Sequence, residues 1–203
     1  MPDLDSAISR IQALAKTSNR VIVAIAGPPG AGKSTLVAEI SNSLDGSVVV
    51  PMDGFHLDNV ILQQREMMTR KGSPASFDAD GYYQFISRLK HSSETIYAPI
   101  FDRSSDLSRA GAIEIPGTTK IVITEGNYLL IDQAPWNKLA ELFDLTVYLD
   151  VPSATLRERL INRWLAHGLS AADALKRAES NDLINTNLVV QYSKQADIII
   201  ENF

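Results

Sequence analysis

The chain of 203 residues contains no cysteine. That removes a disulfide framework, a thiolate metal site and a cysteine nucleophile together. It also lacks a basic surplus: 19 Lys and Arg stand against 24 Asp and Glu, a formal net charge of −5. A broad nucleic-acid-binding face needs the opposite sign, so no nucleic-acid partner is expected. No stretch approaches the ~18 continuous apolar residues of a membrane span. The first residues, with Asp3 and Asp5, lack the basic and apolar regions of a signal peptide. The expectation is a soluble cytoplasmic protein with no membrane partner. Repeats, low-complexity tracts and linkers are missing as well. With 45% apolar and 21% charged residues, the composition suits one globular domain over 1–203 with a sizeable core.

Against these absences, one stretch stands out. Gly27-Pro28-Pro29-Gly30-Ala31-Gly32-Lys33-Ser34, followed by Thr35, fits G-x-x-x-x-G-K-[ST], the phosphate-cradling P-loop. The β-branched run Val21–Ala26 before it reads as a buried parallel strand. Leu36, Val37 and Ile40 after it read as the first turns of a helix. Strand, glycine loop and helix N-terminus together make an anion site, because backbone N–H groups and the helix dipole both favour negative charge. Gly27, Gly30 and Gly32 allow a close phosphate approach. Lys33 is a mobile charge for the β- and γ-phosphates, and the Ser34 hydroxyl is a ligand for Mg²⁺. The expected nucleotide-binding set is Gly27, Gly30, Ala31, Gly32, Lys33, Ser34 and Thr35.

The rest of the chain alternates between strand and helix patterns. Leu4, Ile8, Ile11 and Leu14 predict an amphipathic helix over 3–16. Residues 47–52 predict a strand ending at Asp53, and Asp58 caps a helix running to about Met68. Lys71–Pro74 reads as a loop. Tyr82, Phe85, Ile86 and Leu89 predict a helix over 80–90. A strand near 95–100 leads into a polar loop over 101–109, and Ile113–Ile115 predicts a short hairpin arm with a Pro116-Gly117 turn. Strands follow over 121–124, 145–151 and 197–201, with helices over 135–142, 152–167 and 171–184. Trp136 and Trp164 read as packing residues. Alternating strands and helices imply an α/β fold, a mostly parallel sheet covered on both faces.

In open α/β sheets, ligands gather at the carboxyl ends of strands. Two further strand ends carry carboxylates. Asp53 reads either as a general base toward a substrate hydroxyl or as an ordinary Asp-Gly turn residue. Glu125, straight after Ile121–Thr124, reads as a metal-side acid of Walker B kind, with an N-cap or surface acid as the plainer alternative. Arg159, Arg163 and His167 share one face of the 152–167 helix. Gly168 ends that helix and Ser170 caps the next. Two basic helices joined by a glycine hinge suit a lid over a triphosphate at about 157–180, although a solvated basic stripe has the same spacing. Arg157 falls off this face and reads as surface. Asn181, Asp182 and Asn187 form a polar block that fits adenine recognition or capping equally.

Four blocks follow the P-loop in a fixed order: Met52-Asp53-Gly54-Phe55-His56, Lys71-Gly72-Ser73-Pro74-Ala75-Ser76-Phe77-Asp78, Pro99-Ile100-Phe101-Asp102 and Glu125-Gly126-Asn127. From about Arg20 to Asn187 the chain resembles the P-loop small-molecule kinases of the bacterial pantothenate kinase, uridine kinase and phosphoribulokinase family. Within it the chain is most similar to a kinase-like subgroup, some members of which are named as fructose-transport kinases. The resemblance implies a three-layer P-loop sandwich with a small helical lid. It implies Asp53 as base on the acceptor hydroxyl, and Lys33, Ser34 and Glu125 around Mg·ATP. It implies catalytic or nucleotide contacts from Arg159 and Arg163, and substrate contacts from Phe55, His56, Asp78, Asp102 and Arg103. The Lys-Gly block leans toward pantothenate kinases, which leaves a homodimer open. Phe101-Asp102-Arg103-Ser104-Ser105, however, lacks the histidine of their substrate block, which weighs against pantothenate itself. The expected function is an ATP-dependent kinase acting on a hydroxyl of a sugar, nucleoside or pantothenate-like alcohol. The competing reading is a regulatory nucleotide switch. Such switches usually carry Asn-Lys-x-Asp for guanine, and Asn137-Lys138-Leu139-Ala140 has no acid at position 140.

Overall fold

The computed structural model describes residues 2–202. Five parallel strands form the central sheet: β1 (Val21–Ala26), β2 (Val48–Pro51), β5 (Ile121–Gly126), β6 (Leu145–Asp150) and β7 (Ile198–Glu201). Their spatial order is β2-β5-β1-β6-β7. Strands β1, β5 and β6 are near-continuous apolar runs because both faces of the sheet are covered. Alternate residues of β1 feed two cores. Val21, Val23 and Ile25 pack against α1 (Pro2–Thr17), α2 (Lys33–Asn42) and the start of α5 (Ser153–Ala166). Ile22, Ala24 and Ala26 face the other way, toward α4 (Ala79–His91) and the Tyr128–Phe143 segment. This is the α/β architecture expected from the sequence, a parallel sheet covered on both faces.

The second core surrounds one buried polar link. Thr124 Oγ1 donates to Val50 O at 2.7 Å and meets the Tyr82 hydroxyl at 2.5 Å. Two adjacent strands and α4 are thereby fixed at the level where β2 and β5 reach their carboxyl ends.

The chain departs from the sequence expectations in five places. The stretch expected to be a polar loop is part of a long antiparallel hairpin, β3 (Ile96–Asp102) and β4 (Leu107–Ile115), whose turn lies at 103–106. Most of β4 is exposed. Backbone pairing with β3 therefore holds it, and no apolar alternation marks it in the sequence. The register shifts at Pro99, which has no N–H to give to the ladder. Pro116-Gly117 does not close the hairpin; it leads from β4 into β5. The 136–142 segment is a 3-10 helix.

The helix expected over 58–68 is α3 (Asn59–Gln64) followed by a separate 3-10 turn at Met68–Arg70. Finally, the helix expected to end near 184 continues. It runs as α6 (Ala171–Arg177), a wide π turn (Ala178–Asp182) and α7 (Leu183–Tyr192). Apolar residues on α7 lie all round the helix, so periodicity gives no face by which to extend it.

Candidate active site

A cavity of about 550 Å³ opens above the carboxyl ends of β1, β2 and β5. The P-loop forms its floor. Gly30 and Gly32 sit at φ +83° and +93°, the left-handed region where a side chain is strained. A Cβ would also press on Leu160 at 3.3 Å from Gly30 and on Asn202 at 2.9 Å from Gly32. Helix α2 starts at Lys33 with Gly32 as its N-cap and no side-chain cap. Its leading N–H groups are thus left for an anion. Behind the loop, Asn202 Nδ2 donates to Ala31 O at 2.8 Å and ties it to the end of β7.

Lys33 is buried and donates to Gly27 O, Pro28 O and Asn127 Oδ1 at 2.9, 3.0 and 2.6 Å. Burial pushes its ammonium down to about 8, opposed by Glu125 and Asp53 and reinforced by Arg163. Ser34 Oγ donates to Glu125 Oε1 at 3.3 Å. Burial raises the Glu125 carboxyl above its ordinary range, while Lys33 works against the shift. Pro51, the last residue of β2, is the register partner of Glu125. Asp53 follows in the 3-10 turn Met52–Phe55 and lines the same cavity. Its Oδ2 accepts from Arg103 Nη2 at 3.2 Å, a contact reaching in from the hairpin turn.

His56 packs in tilted contact with Phe77 and Phe101, with ring centroids 3.9 and 4.6 Å away. Burial lowers its pKa, which favours the neutral ring. Nδ1 lies 2.8 Å from Asp53 O. A carbonyl can only accept, so Nδ1 carries the proton and Nε2 keeps a lone pair. Three other expected substrate residues do not line this cavity. Phe55 turns away to pack on Tyr82 and Phe85. Asp78 caps α4 through Gly81 N. Asp102 accepts from Ser104 Oγ and from the Ser104 and Ser105 amides and pairs with Arg109. Those bonds, the Ser104 hydroxyl first, hold its carboxyl below the usual range.

Arg159 and Arg163 of α5 line the cavity. Trp164 does too, although its spacing suggested simple packing. Its indole N–H donates to Asp182 Oδ2, and the Arg177 guanidinium lies 5.2 Å over its ring. Arg157 pairs with Glu179 at the surface, and Trp136 is in the core. Asn187 is exposed, whereas Asn181 and Asn185 are buried. Lys71 and Asp106 were not singled out from the sequence. The Lys71 ammonium, over the Phe101 ring, bonds Asp106 Oδ1 at 2.8 Å and Asn59 Oδ1 at 2.7 Å. Asn127 was visible only as part of the Glu125-Gly126-Asn127 block, with no role attached. No local signal predicts these pairings, because each joins elements distant in sequence.

Residues 22–203 match the model of the phosphoribulokinase/uridine kinase family. The chain belongs to this family. It is 39% identical to a crystallised protein of Silicibacter sp. TM1040 described as a candidate fructose transport system kinase, with a TM-score of 0.89 over 95% of this chain and 98% of that one. A candidate uridine kinase of Schizosaccharomyces pombe is 34% identical, across 97% of this chain and 89% of its own length. A pantothenate kinase of Listeria welshimeri is 30% identical, across 76% of this chain and 54% of its own. The family is one of ATP-dependent small-molecule kinases, and the relatives' names differ in acceptor.

Proposed function

We propose that the protein transfers the γ-phosphoryl group of ATP to a hydroxyl of a small polar metabolite. The observation that carries this reading is the convergence of Asp53 and Glu125, from adjacent strand ends, on the Lys33–Ser34 start of α2. A phosphoryl-transfer site needs a phosphate cradle, a metal position and a carboxylate near the attacking hydroxyl.

The P-loop amides would hold the phosphates, and Lys33 would exchange its loop carbonyls for phosphate oxygens. Ser34 and Glu125 offer only oxygen, which suits Mg²⁺ held largely by phosphates and water. Among the described residues no group of three or more His, Cys, Asp or Glu could hold a metal. When bound, Mg²⁺ would neutralise charge on the transferred group. Arg159 and Arg163 would close over the γ-phosphate and exclude water. With Oδ2 on Arg103, Asp53 would take the hydroxyl proton on Oδ1 as the oxygen attacks phosphorus in line.

The cavity extends past Asp53 to His56, Lys71, Phe77, Phe101 and Asp106, a chamber that a regulatory switch would not use. Aromatic walls with several charged groups fit a fructose-like sugar, a nucleoside or a pantothenate-like alcohol. A homodimer is the assembly the pantothenate kinase likeness suggests. The test is ATP consumption against a panel of sugars, nucleosides and vitamin precursors, with ³¹P NMR detection of a phosphomonoester. The expected result is acceptor-dependent turnover with ATP. Tight GTP preference with no acceptor stimulation would instead favour a switch.

A further inference from the structure

Arg177, Asn181 and Asn185 are spaced four residues apart across the π turn. They reach three carbonyls of a single short segment that lines the same cavity. Arg177 Nη1 donates to Thr69 O at 2.8 Å, Asn181 Nδ2 to Lys71 O at 2.9 Å and Asn185 Nδ2 to Gly72 O at 3.4 Å. Arg70 returns the contact, donating to Ser180 O at 2.9 Å and Asn185 Oδ1 at 3.2 Å. Asn181 and Asn185 are 1% and 2% exposed, so their amides are committed to these bonds. In an uninterrupted α-helix, residues four apart drift by about 40° per step. A wide π turn has less twist per residue and keeps the three donors closer to one line. Such turns recur where a helix serves a function.

Both ends of this bridge touch the cavity. On the nucleotide side, Trp164 of α5 holds Asp182 and lies under Arg177, one residue from Arg163. On the acceptor side, Lys71 leaves the bridged segment to bond Asp106 in the hairpin turn and Asn59 on α3.

We infer that Arg70, Asn181 and Asn185 are positioning residues that couple the phosphate-closing arginines to the acceptor wall. Closure of α5 on a triphosphate then orders residues 68–73 and sets Lys71 before the acceptor arrives. The inference rests on the kinase reading above, which places Arg159 and Arg163 at the γ-phosphate.

Hydrogen exchange of the full chain, with and without Mg²⁺ and a non-hydrolysable ATP analogue, tests it. In the unmodified protein the analogue slows exchange at 27–35 and also at 68–73, the latter by about fivefold or more, the low end of coupling between sites. Arg70→Ala removes the slowing at 68–73 and keeps it at 27–35. Arg70→Lys, which retains one charged donor, restores part of it. Arg70 is half-buried at the bridge and outside both cores, so its replacement leaves the fold intact. Protection at 27–35 without any at 68–73, or full slowing in Arg70→Ala, overturns the coupling while the kinase reading stands. No protection at 27–35 overturns both.

Discussion

At the scale of single residues, charged groups of the cavity rest on protein partners that, in the proposed reaction, a ligand would replace. Lys33 shows this best. Its ammonium, lowered to about 8 by burial, sits on loop carbonyls and Asn127. Phosphate oxygens would favour the charged form and raise that value. Nucleotide binding near pH 8 should therefore take up protons, and the uptake should fade at pH 6.5, where the amine is already charged. Calorimetric titration of ATP in two buffers of different ionisation enthalpy measures it. Lys33→Met should show none from this source. Equal heats in both buffers at pH 8 would contradict the assignment. That the Gly27–Ser34 loop, Asp53 and Glu125 meet at one cavity was legible, because their places at strand ends follow from local pattern. Phe55 and His56 were not separable by sequence. Only the 3-10 turn decides that one ring packs on Tyr82 while its neighbour enters the cavity.

Among elements, the hairpin is the piece the sequence concealed and the site depends on. Strands β3 and β4 bring Arg103 to Asp53 and Asp106 to Lys71. Exposure of β4 on most of its length erased the apolar signal that marks the central strands. What seats the hairpin is visible at Gly54, where an added Cβ would lie 2.4 Å from Pro99 O. Gly54→Ala should therefore push β3 off the 3-10 turn that carries Asp53. The expected cost is about 1–3 kcal/mol from overpacking, read as a Tm loss of several degrees. Turnover should fall as well, because Asp53 and Arg103 lose their alignment. An unchanged Tm would mean that β3 gives way freely. Helix α5 has the same lesson: Arg159 and Arg163 were readable as one face from helical spacing and line the cavity, whereas the π turn that aligns Arg177, Asn181 and Asn185 has no sequence signature.

For the whole molecule, one side chain joins the sheet to the root of the hairpin. Arg20, just before β1, is 8% exposed and donates to the carbonyls of Leu89, Ser92, Pro116, Gly117 and Thr119. These are the end of α4 and the link between β4 and β5. Arg20→Met leaves these carbonyls without their charged donor. Chemical denaturation should show a loss of about 3 kcal/mol, with activity retained at low temperature because the site lies at the opposite end of the strands. The α/β layering around that site was readable from the apolar strand runs. The chamber beyond Asp53 was not, since His56, the 68–72 segment, the hairpin and α5 line it, and only the folded chain brings them together. In the proposed reaction this assembly directs a hydroxyl to Asp53. The most direct measurement is turnover and ATP affinity of Asp53→Asn on the acceptor found by the panel. The expected result is a fall in kcat of about 10²–10⁴-fold with ATP affinity essentially unchanged. Near-normal kcat in Asp53→Asn would contradict it.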